Sequence, residues 1–208
     1  DPRVTETARI SDMHLPIKGG TNMILVNAFG NVLINEKLYD EEFVKEHTDN
    51  FEEYKKIVEP YTPEYAAKYT NIPADMIRKT MREYAKAKDA MILYGMGVCQ
   101  FSQAVDVVKG LASLALLTGN FGRPNVGIGP VRGQNNVQGA CDMGALPDCY
   151  PGYQKVTNPE IRAKFEKAWG VKLPGEVGLK LTEVPHAVLE EHKIKAYYIF
   201  GEDPVQSD

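Results

Sequence analysis

The residues best suited to chemistry lie in one short segment, residues 132–139 (RGQNNVQG). This segment places one guanidinium group, that of Arg132, and four carboxamide side chains between glycines. Planar guanidinium and amide groups can bind a polar ligand, and glycines let the backbone approach that ligand closely. The alternative is that the amides bind the backbone of their own loop, which is the more common use of Asn and Gln in loops. Composition favours neither interpretation over the other.

The surrounding segment, residues 119–152, has the composition of a functional loop. It contains eight glycines and four prolines but only four charged side chains, and it shows neither a helical nor an alternating period. A disordered linker would carry more charge. Long loops without secondary structure are uncommon in compact domains unless they have a function. We therefore expect a long irregular loop that contributes to a binding site.

Two short apolar runs, residues 90–94 and 195–200, predict the strands that position such a site. Each run is too short for a stable helix and is followed directly by glycine, as a buried parallel strand often is. Capping residues and helical spacing predict helices over residues 22–36, 40–46, 50–58, 64–68, 74–88, 102–118, 159–169 and 182–191. Strands that alternate with helices indicate an α/β fold with a mainly parallel sheet flanked by helices. Ligands bind outside the carboxyl ends of such strands, so the turns 95–100 and 201–207 are candidate binding segments, with plain connecting turns as the alternative.

Charge and hydropathy exclude several classes of partner. The 208 residues carry 24 basic and 28 acidic side chains, a net charge of -4, which argues against binding nucleic acid or anionic lipid by bulk electrostatics. No apolar run approaches the roughly 18 residues that span a bilayer, so we expect no membrane insertion. The cysteines Cys99, Cys141 and Cys149 are odd in number and lack a CxxC spacing. Three cysteines without this spacing predict neither a disulfide framework nor a zinc or iron–sulfur site. They favour a reducing compartment. Taken alone, the residues indicate an α/β ligand-binding piece of a longer polypeptide and assign no reaction.

Three segments of the chain resemble a known family. They are Gly95–Gln100 (GMGVCQ), Leu116–Gly122 (LLTGNFG) and above all Val131–Pro147 (VRGQNNVQGACDMGALP). In these segments the chain resembles the molybdopterin oxidoreductases, specifically the catalytic (alpha) subunit of molybdenum- or tungsten-dependent formate dehydrogenases. The resemblance runs the whole length of the chain.

The resemblance implies that the chain is an internal segment of a much larger subunit. That subunit would hold a bis-molybdopterin guanine dinucleotide cofactor with molybdenum or tungsten, and a 4Fe-4S cluster bound outside this segment. Residues 1–134 would be part of one dinucleotide-binding α/β domain, and residues 135–208 the start of a second one. The cysteine or selenocysteine ligand of the metal is expected upstream, so no metal ligand is expected here and the isolated segment should be inactive.

The resemblance also implies roles for individual residues. Arg132 resembles the active-site arginine, whose planar guanidinium suits the planar formate anion better than a lysine would. Asn22 would contact the guanine edge, at a position where many relatives carry aspartate. The remaining positions that resemble cofactor contacts are Asp1, Arg3, Met96, Gln100, Gln134, Gly201, Glu202, Asp203 and Ser207.

The implied activity is the two-electron oxidation of formate to carbon dioxide. Formate and the electron-transfer subunits of a larger complex are the expected partners, in the cytoplasm, without nucleic acid. Another oxidoreductase of the family, such as a nitrate reductase, is an alternative. A second alternative, of a different class, is a non-catalytic scaffold with the same fold.

Overall fold

The computed structural model of the chain describes residues 1–190, 193–199, 201–203 and 206. The chain divides into two compact units, Asp1–Gly133 and Gln134–Asp208. That each unit is part of a dinucleotide-binding domain stays a prediction.

The first unit is built mainly of helices, most of them where the sequence predicts them. In chain order its elements are α1 (Glu6–Ile10), α2 (Asn22–Asn35), α3 (Glu41–His47), α4 (Phe51–Val58), α5 (Pro63–Thr70), α6 (Ala74–Lys86), β1 (Met91–Tyr94), α7 (Met96–Cys99), α8 (Ala104–Leu117) and β2 (Gly127–Pro130). The predicted glycine turn after β1 is instead the single helical turn α7.

Helix α2 is the centre of this unit because it is apolar on nearly every side. A helix without a polar face is stable only when other elements cover it, and α2 packs against α4, α5, α6 and α8. Its buried residues include Leu25, Val26 and Leu33. The buried Asn31 is satisfied, because its Nδ2 donates to the carbonyl oxygens of Val58 and Glu59 at the end of α4, both at 3.1 Å.

The sheet of this unit is smaller than predicted. β1 pairs in parallel with β2, in the register that sets Met91 opposite Gly127, so the predicted parallel strand is confirmed. The expectation that β1 is buried on both faces is wrong for the described residues. Ile92 packs against the helical core, whereas Met91 and Leu93 on the opposite face are 53% and 63% exposed.

The second unit contains α9 (Val137–Asp142), β3 (Cys149–Tyr150), β4 (Gln154–Lys155), α10 (Pro159–Trp169), a 3-10 turn (Leu181–Glu183) and α11 (Val184–Leu189). β3 and β4 are antiparallel, so one of the two small sheets described is parallel and the other antiparallel, and a mainly parallel sheet is not confirmed. Tyr150, Val156 and Phe165 form a small core. The prediction of an irregular loop over residues 119–152 is also wrong, since that range contains β2, α9 and β3.

The second predicted strand, residues 195–200, is not formed at residues 195–199, and Phe200 lies outside the described residues. An interior parallel strand needs hydrogen-bonding neighbours and cover on its faces. Tyr198 is 85% exposed, and residues 195–199 belong to neither sheet described here. Among the residues whose placement is described, no helix is long and apolar enough to cross a membrane.

Candidate functional site

The carboxyl end of β1 carries the first candidate binding segment, residues 95–100. α7 is closed by the N–H of Gln100, which donates to the carbonyl oxygen of Met96 at 2.9 Å. The side chains of Met96 and Gln100 are exposed. A Cβ added to Gly97 would have no atom within 4 Å, so the backbone at this glycine faces open space. A ligand can therefore approach the turn closely here.

Arg132 lies just beyond the end of β2, separated from it by Val131, alongside this turn. The N–H of Val131 donates to the carbonyl oxygen of Tyr94 at 2.6 Å, which extends the pairing of the two strands by one residue. On the other side of Arg132, a Cβ on Gly133 would lie 3.3 Å from the Cε of Met96. Both neighbours of Arg132 thus contact the end of β1 or its turn, while the Arg132 side chain itself is exposed. The structure therefore brings Arg132 and the turn 95–100 together.

Asn22 joins the same turn from a distant part of the chain. It is the first residue of α2, is partly buried, and its Nδ2 donates to the carbonyl oxygen of Gly97 at 3.3 Å. Sequence reasoning selected Asn22 but missed this bond. The two residues are 75 positions apart, so no local pattern could have indicated it.

Asp1 and Arg3 form a local turn. The carboxylate of Asp1 accepts a hydrogen bond from the N–H of Arg3 at 2.8 Å, and its carbonyl oxygen lies 2.8 Å from the Nε2 of His14. Both predicted residues are exposed. These contacts fix the backbone of the segment and leave its side chains accessible to solvent.

In the second unit, two of the four carboxamides of residues 132–139 contact other residues of their own segment. Asn136 has a left-handed backbone before α9, and its amide lies so close to Gly139 that a Cβ there would overlap it. Gln138 donates to Asp142 at 3.0 Å and to the hydroxyl of Tyr153 at 2.8 Å. Tyr153 is a member of this cluster that sequence reasoning missed. These contacts join the two amides to other residues of their own segment, and no bond from them to the loop backbone is among the contacts described.

The other predicted residues of the second unit are exposed. Gln134 lies before α9, and its side chain is exposed to solvent. Gly201 has a φ of 72°, a left-handed conformation that favours glycine, and it begins a bend with exposed Glu202 and Asp203. Ser207 lies outside the described residues.

Two groups in the second unit have perturbed acidities. The pKa of Tyr153 is raised, first by desolvation and then by its neighbour Asp142. The pKa of Asp148 is lowered by the hydrogen bond that it accepts from Lys155 at 2.5 Å. Both perturbations come from contacts that fold the 138–155 segment, so they identify structural groups and not a proton-transferring pair.

The described part of the chain offers no metal centre of its own. It contains no group of three or more His, Cys, Asp or Glu side chains that could hold a metal ion. Cys99, Cys141 and Cys149 are free thiols in different environments, exposed, partly buried and buried. The accessible chemistry is therefore that of a guanidinium, amides and open backbone, which suits a polar or anionic ligand.

Comparison with known proteins gives consistent results over the whole chain. Residues 1–208 match the family model described as Molybdopterin oxidoreductase. The chain is 57% identical over 209 residues to formate dehydrogenase H of Escherichia coli K12, of which it covers 29%. It is 48% identical over 209 residues to the F420-dependent formate dehydrogenase subunit alpha of Methanocaldococcus jannaschii, of which it covers 30%. Both alignments include 100% of this chain, which therefore spans less than a third of the length of either relative.

A solved structure supports the same relationship. Acetylene hydratase from Pelobacter acetylenicus is 32% identical, with a TM-score of 0.58 over 60% of this chain and 17% of the hydratase chain.

Proposed function

The chain belongs to the molybdopterin oxidoreductase family, and we propose that it is a segment of the catalytic subunit of a formate dehydrogenase. The observation that carries the proposal is the position of Arg132, which lies just beyond β2 and alongside the turn 95–100. It stands in a chain that is 57% identical to a formate dehydrogenase over its full length. In this role the segment helps to hold a bis-molybdopterin guanine dinucleotide cofactor while formate is oxidised to carbon dioxide.

The residues at the ends of β1 and β2 fit the organic part of such a cofactor. The open backbone at Gly97 leaves room for a flat ring system, and the exposed amide of Gln100 can pair with its heteroatoms. Met96, Gln100 and Gln134 would contact the pterins. The residues proposed to hold the guanosine ends are Asp1 and Arg3 for one dinucleotide, and Gly201, Glu202, Asp203 and Ser207 for the other. Asn22 would contribute through its hydrogen bond to the turn 95–100.

Other parts of the full-length protein complete the proposal. When bound, the cofactor with its molybdenum or tungsten supplies the redox chemistry by accepting the two electrons that formate loses. The protein ligand of the metal and a 4Fe-4S cluster would lie in segments outside this chain, as the resemblance to formate dehydrogenases implies. Electron-transfer subunits would take up the electrons. The free thiols of this chain are compatible with a cytoplasmic location.

Arg132 would bind formate and orient it. Its guanidinium can donate two parallel hydrogen bonds to the two formate oxygens, which fixes the direction of the C–H bond. The substrate is an anion and carbon dioxide is neutral, so the attraction to Arg132 declines as the electrons leave. An interaction that is stronger with the substrate than with the product contributes mainly to binding and to product release. In this chain the side chain is exposed, so exclusion of water would depend on the cofactor and on other parts of the full-length protein.

The test is Arg132→Lys in the full-length, metal-loaded protein, assayed with formate and a dye acceptor. Lysine keeps the charge but loses the planar pair of donors, so the KM for formate should rise about ten- to hundredfold. The fall in kcat should be smaller, and metal and pterin content should stay at the wild-type level.

Arg9→Lys is the matched control, because Arg9 lies in the last turn of α1 and is exposed. It should leave KM unchanged. An Arg132→Lys enzyme with wild-type kcat/KM for formate would overturn the role of Arg132. A wild-type protein that reduces nitrate but does not oxidise formate, or that catalyses neither reaction when fully loaded, would overturn the proposed function.

A further inference from the structure

We infer that Asn22 is a positioning residue, which holds the turn 95–100 in the shape that binds the cofactor, and is not itself a reader of guanine. The inference rests on the proposed function for the identity of the ligand. The hydrogen bond between Asn22 and the turn is observed within this chain and does not depend on the proposed function.

Asn22 is well placed to act as an anchor. It is the first residue of α2, a helix that packs against α4, α5, α6 and α8. The turn that it reaches is less buried. None of the four residues of α7 is buried, although α7 packs against α8 and Val98 packs partly against the helical core. The hydrogen bond from Asn22 Nδ2 to the carbonyl oxygen of Gly97 therefore ties this partly exposed turn to the N-terminus of α2.

The atom that Asn22 binds matters for a ligand on this surface. A peptide carbonyl is a hydrogen-bond acceptor, and an accepting oxygen that faces a phosphate or a ring oxygen would repel it. By donating to the Gly97 oxygen, Asn22 fixes the peptide plane at the residue whose open face a ligand would cover. Gly97 has no side chain to limit its backbone rotation. The hydrogen bond from Asn22 therefore adds to the backbone bond between Gln100 and Met96 in fixing the turn.

Asn22→Asp separates positioning from guanine reading because the two roles predict opposite results. Aspartate has no donor, so a carboxylate oxygen would face the Gly97 oxygen and the turn would lose its hold. A guanine reader would work at least as well with aspartate, because a carboxylate can accept from both the N1–H and the N2 amino group of guanine. Aspartate in the first turn of α2 also suits the helix dipole, so the substitution should not destabilise the helix.

The experiment compares full-length wild type, Asn22→Asp and Asn22→Ala. Asn125→Asp is the matched control, since Asn125 is exposed and has a φ of 67°, which aspartate tolerates. Three quantities are measured: amide hydrogen exchange across residues 95–100, guanine nucleotide released per chain by acid hydrolysis, and the melting temperature. We expect exchange in the turn to be about fivefold faster in Asn22→Ala, because the hydrogen bond is lost. It should be about tenfold faster in Asn22→Asp, because the carboxylate also repels the Gly97 oxygen. Guanine nucleotide content should fall in the same order, while the melting temperature of both Asn22 variants stays at the wild-type value. The Asn125→Asp control should match the wild type in all three quantities.

Two results would overturn the inference. One is an Asn22→Asp protein with wild-type exchange in the turn and wild-type or higher guanine nucleotide content, which would make Asn22 a direct reader. The other is faster exchange along all of α2, which would make Asn22 a general support of the helix. If the wild-type protein carries no pterin cofactor, the proposed function fails, and hydrogen exchange in the turn still decides whether Asn22 holds it.

Discussion

The effect of Gly30→Ala on the free energy of unfolding should depend on residue 54, being unfavourable with tyrosine there and neutral or favourable with phenylalanine. Glycine in the middle of a helix is unfavourable by about 1 kcal/mol relative to alanine, yet Gly30 lies in the centre of α2. The structure supplies the reason. The hydroxyl of Tyr54 lies against the backbone at Gly30, and a Cβ there would overlap its oxygen. That hydroxyl is buried, has no hydrogen-bond partner among the described residues, and has a raised pKa because of desolvation.

The magnitudes follow from these contacts. Gly30→Ala in the wild-type background forces Tyr54 to move, which costs about 1 to 3 kcal/mol as overpacking and is offset by about 1 kcal/mol of helix propensity. Tyr54→Phe removes a buried, unpaired hydroxyl and should stabilise the unit by about 1 kcal/mol. In that background the nearest ring atom to the new Cβ is Cζ at 3.1 Å, a tight but adjustable contact. Gly30→Ala should then be neutral or stabilising by up to about 1 kcal/mol.

The assay is a double-mutant cycle in the full-length protein, with the free energy of local opening of α2 taken from amide hydrogen exchange. We expect a coupling free energy of about 2 kcal/mol between Gly30→Ala and Tyr54→Phe. A Gly30→Ala effect of the same sign and size in both backgrounds would refute the explanation, because the hydroxyl would then not be the reason for glycine.

Three further predictions follow from other contacts. Gly110→Ala should lower the melting temperature, because its Cβ would lie 2.6 Å from the Cγ1 of Val26, and a second substitution, Val26→Ala, should make the added methyl group of Gly110→Ala nearly harmless. Asn120→Ala should lower the hydrogen-exchange stability of β1 by about 2 kcal/mol, because its buried side-chain oxygen accepts the N–H at residue 90 at 3.1 Å; an equal loss in α10 would contradict this reason. The hydrogen bond from Lys155 lowers the pKa of Asp148 below the ordinary 3.8, so its stabilising effect is present above that pH and is lost as the pH falls through the lower folded-state value. Carbon NMR of the carboxyl group should show the pKa rising in Lys155→Gln, and an unchanged pKa would disprove the contact.

The helices were predictable because their start signals are local. Asp40 is the N-cap of α3, and its side chain accepts the N–H of Phe43 at 2.9 Å. Thr62 does the same for α5, with proline as the first helical residue, and Asn158 caps α10. In each case the residues that fix the helix lie within one turn of each other, so the sequence alone contains the interaction.

The strands were less predictable because pairing decides them. β2 has the sequence GIGP, which is poor in strand-forming residues. It is extended because it pairs with β1, 36 positions earlier, from Met91 opposite Gly127 to Tyr94 opposite Pro130. Residues 195–199 show the reverse, since they have strand-forming composition and belong to neither described sheet. Composition indicates that a segment can be a strand, and only a partner makes it one.

The candidate site shows the same limit at the level of single side chains. Composition could identify residues 132–139 as unusual, and it left open whether the amides bind a ligand or their own loop. Two of the amides contact other residues of their own segment: Asn136 lies against Gly139, and Gln138 donates to a tyrosine 15 positions away. Those two amides shape the segment in the absence of any ligand. Ligand binding by Arg132 and Gln134 stays a prediction. Arg132 and Gln134 are exposed on either side of the glycine between them. A substitution at Asn136 should therefore act through the fold of the segment, whereas one at Arg132 should act through the ligand, and measuring stability beside formate kinetics distinguishes the two.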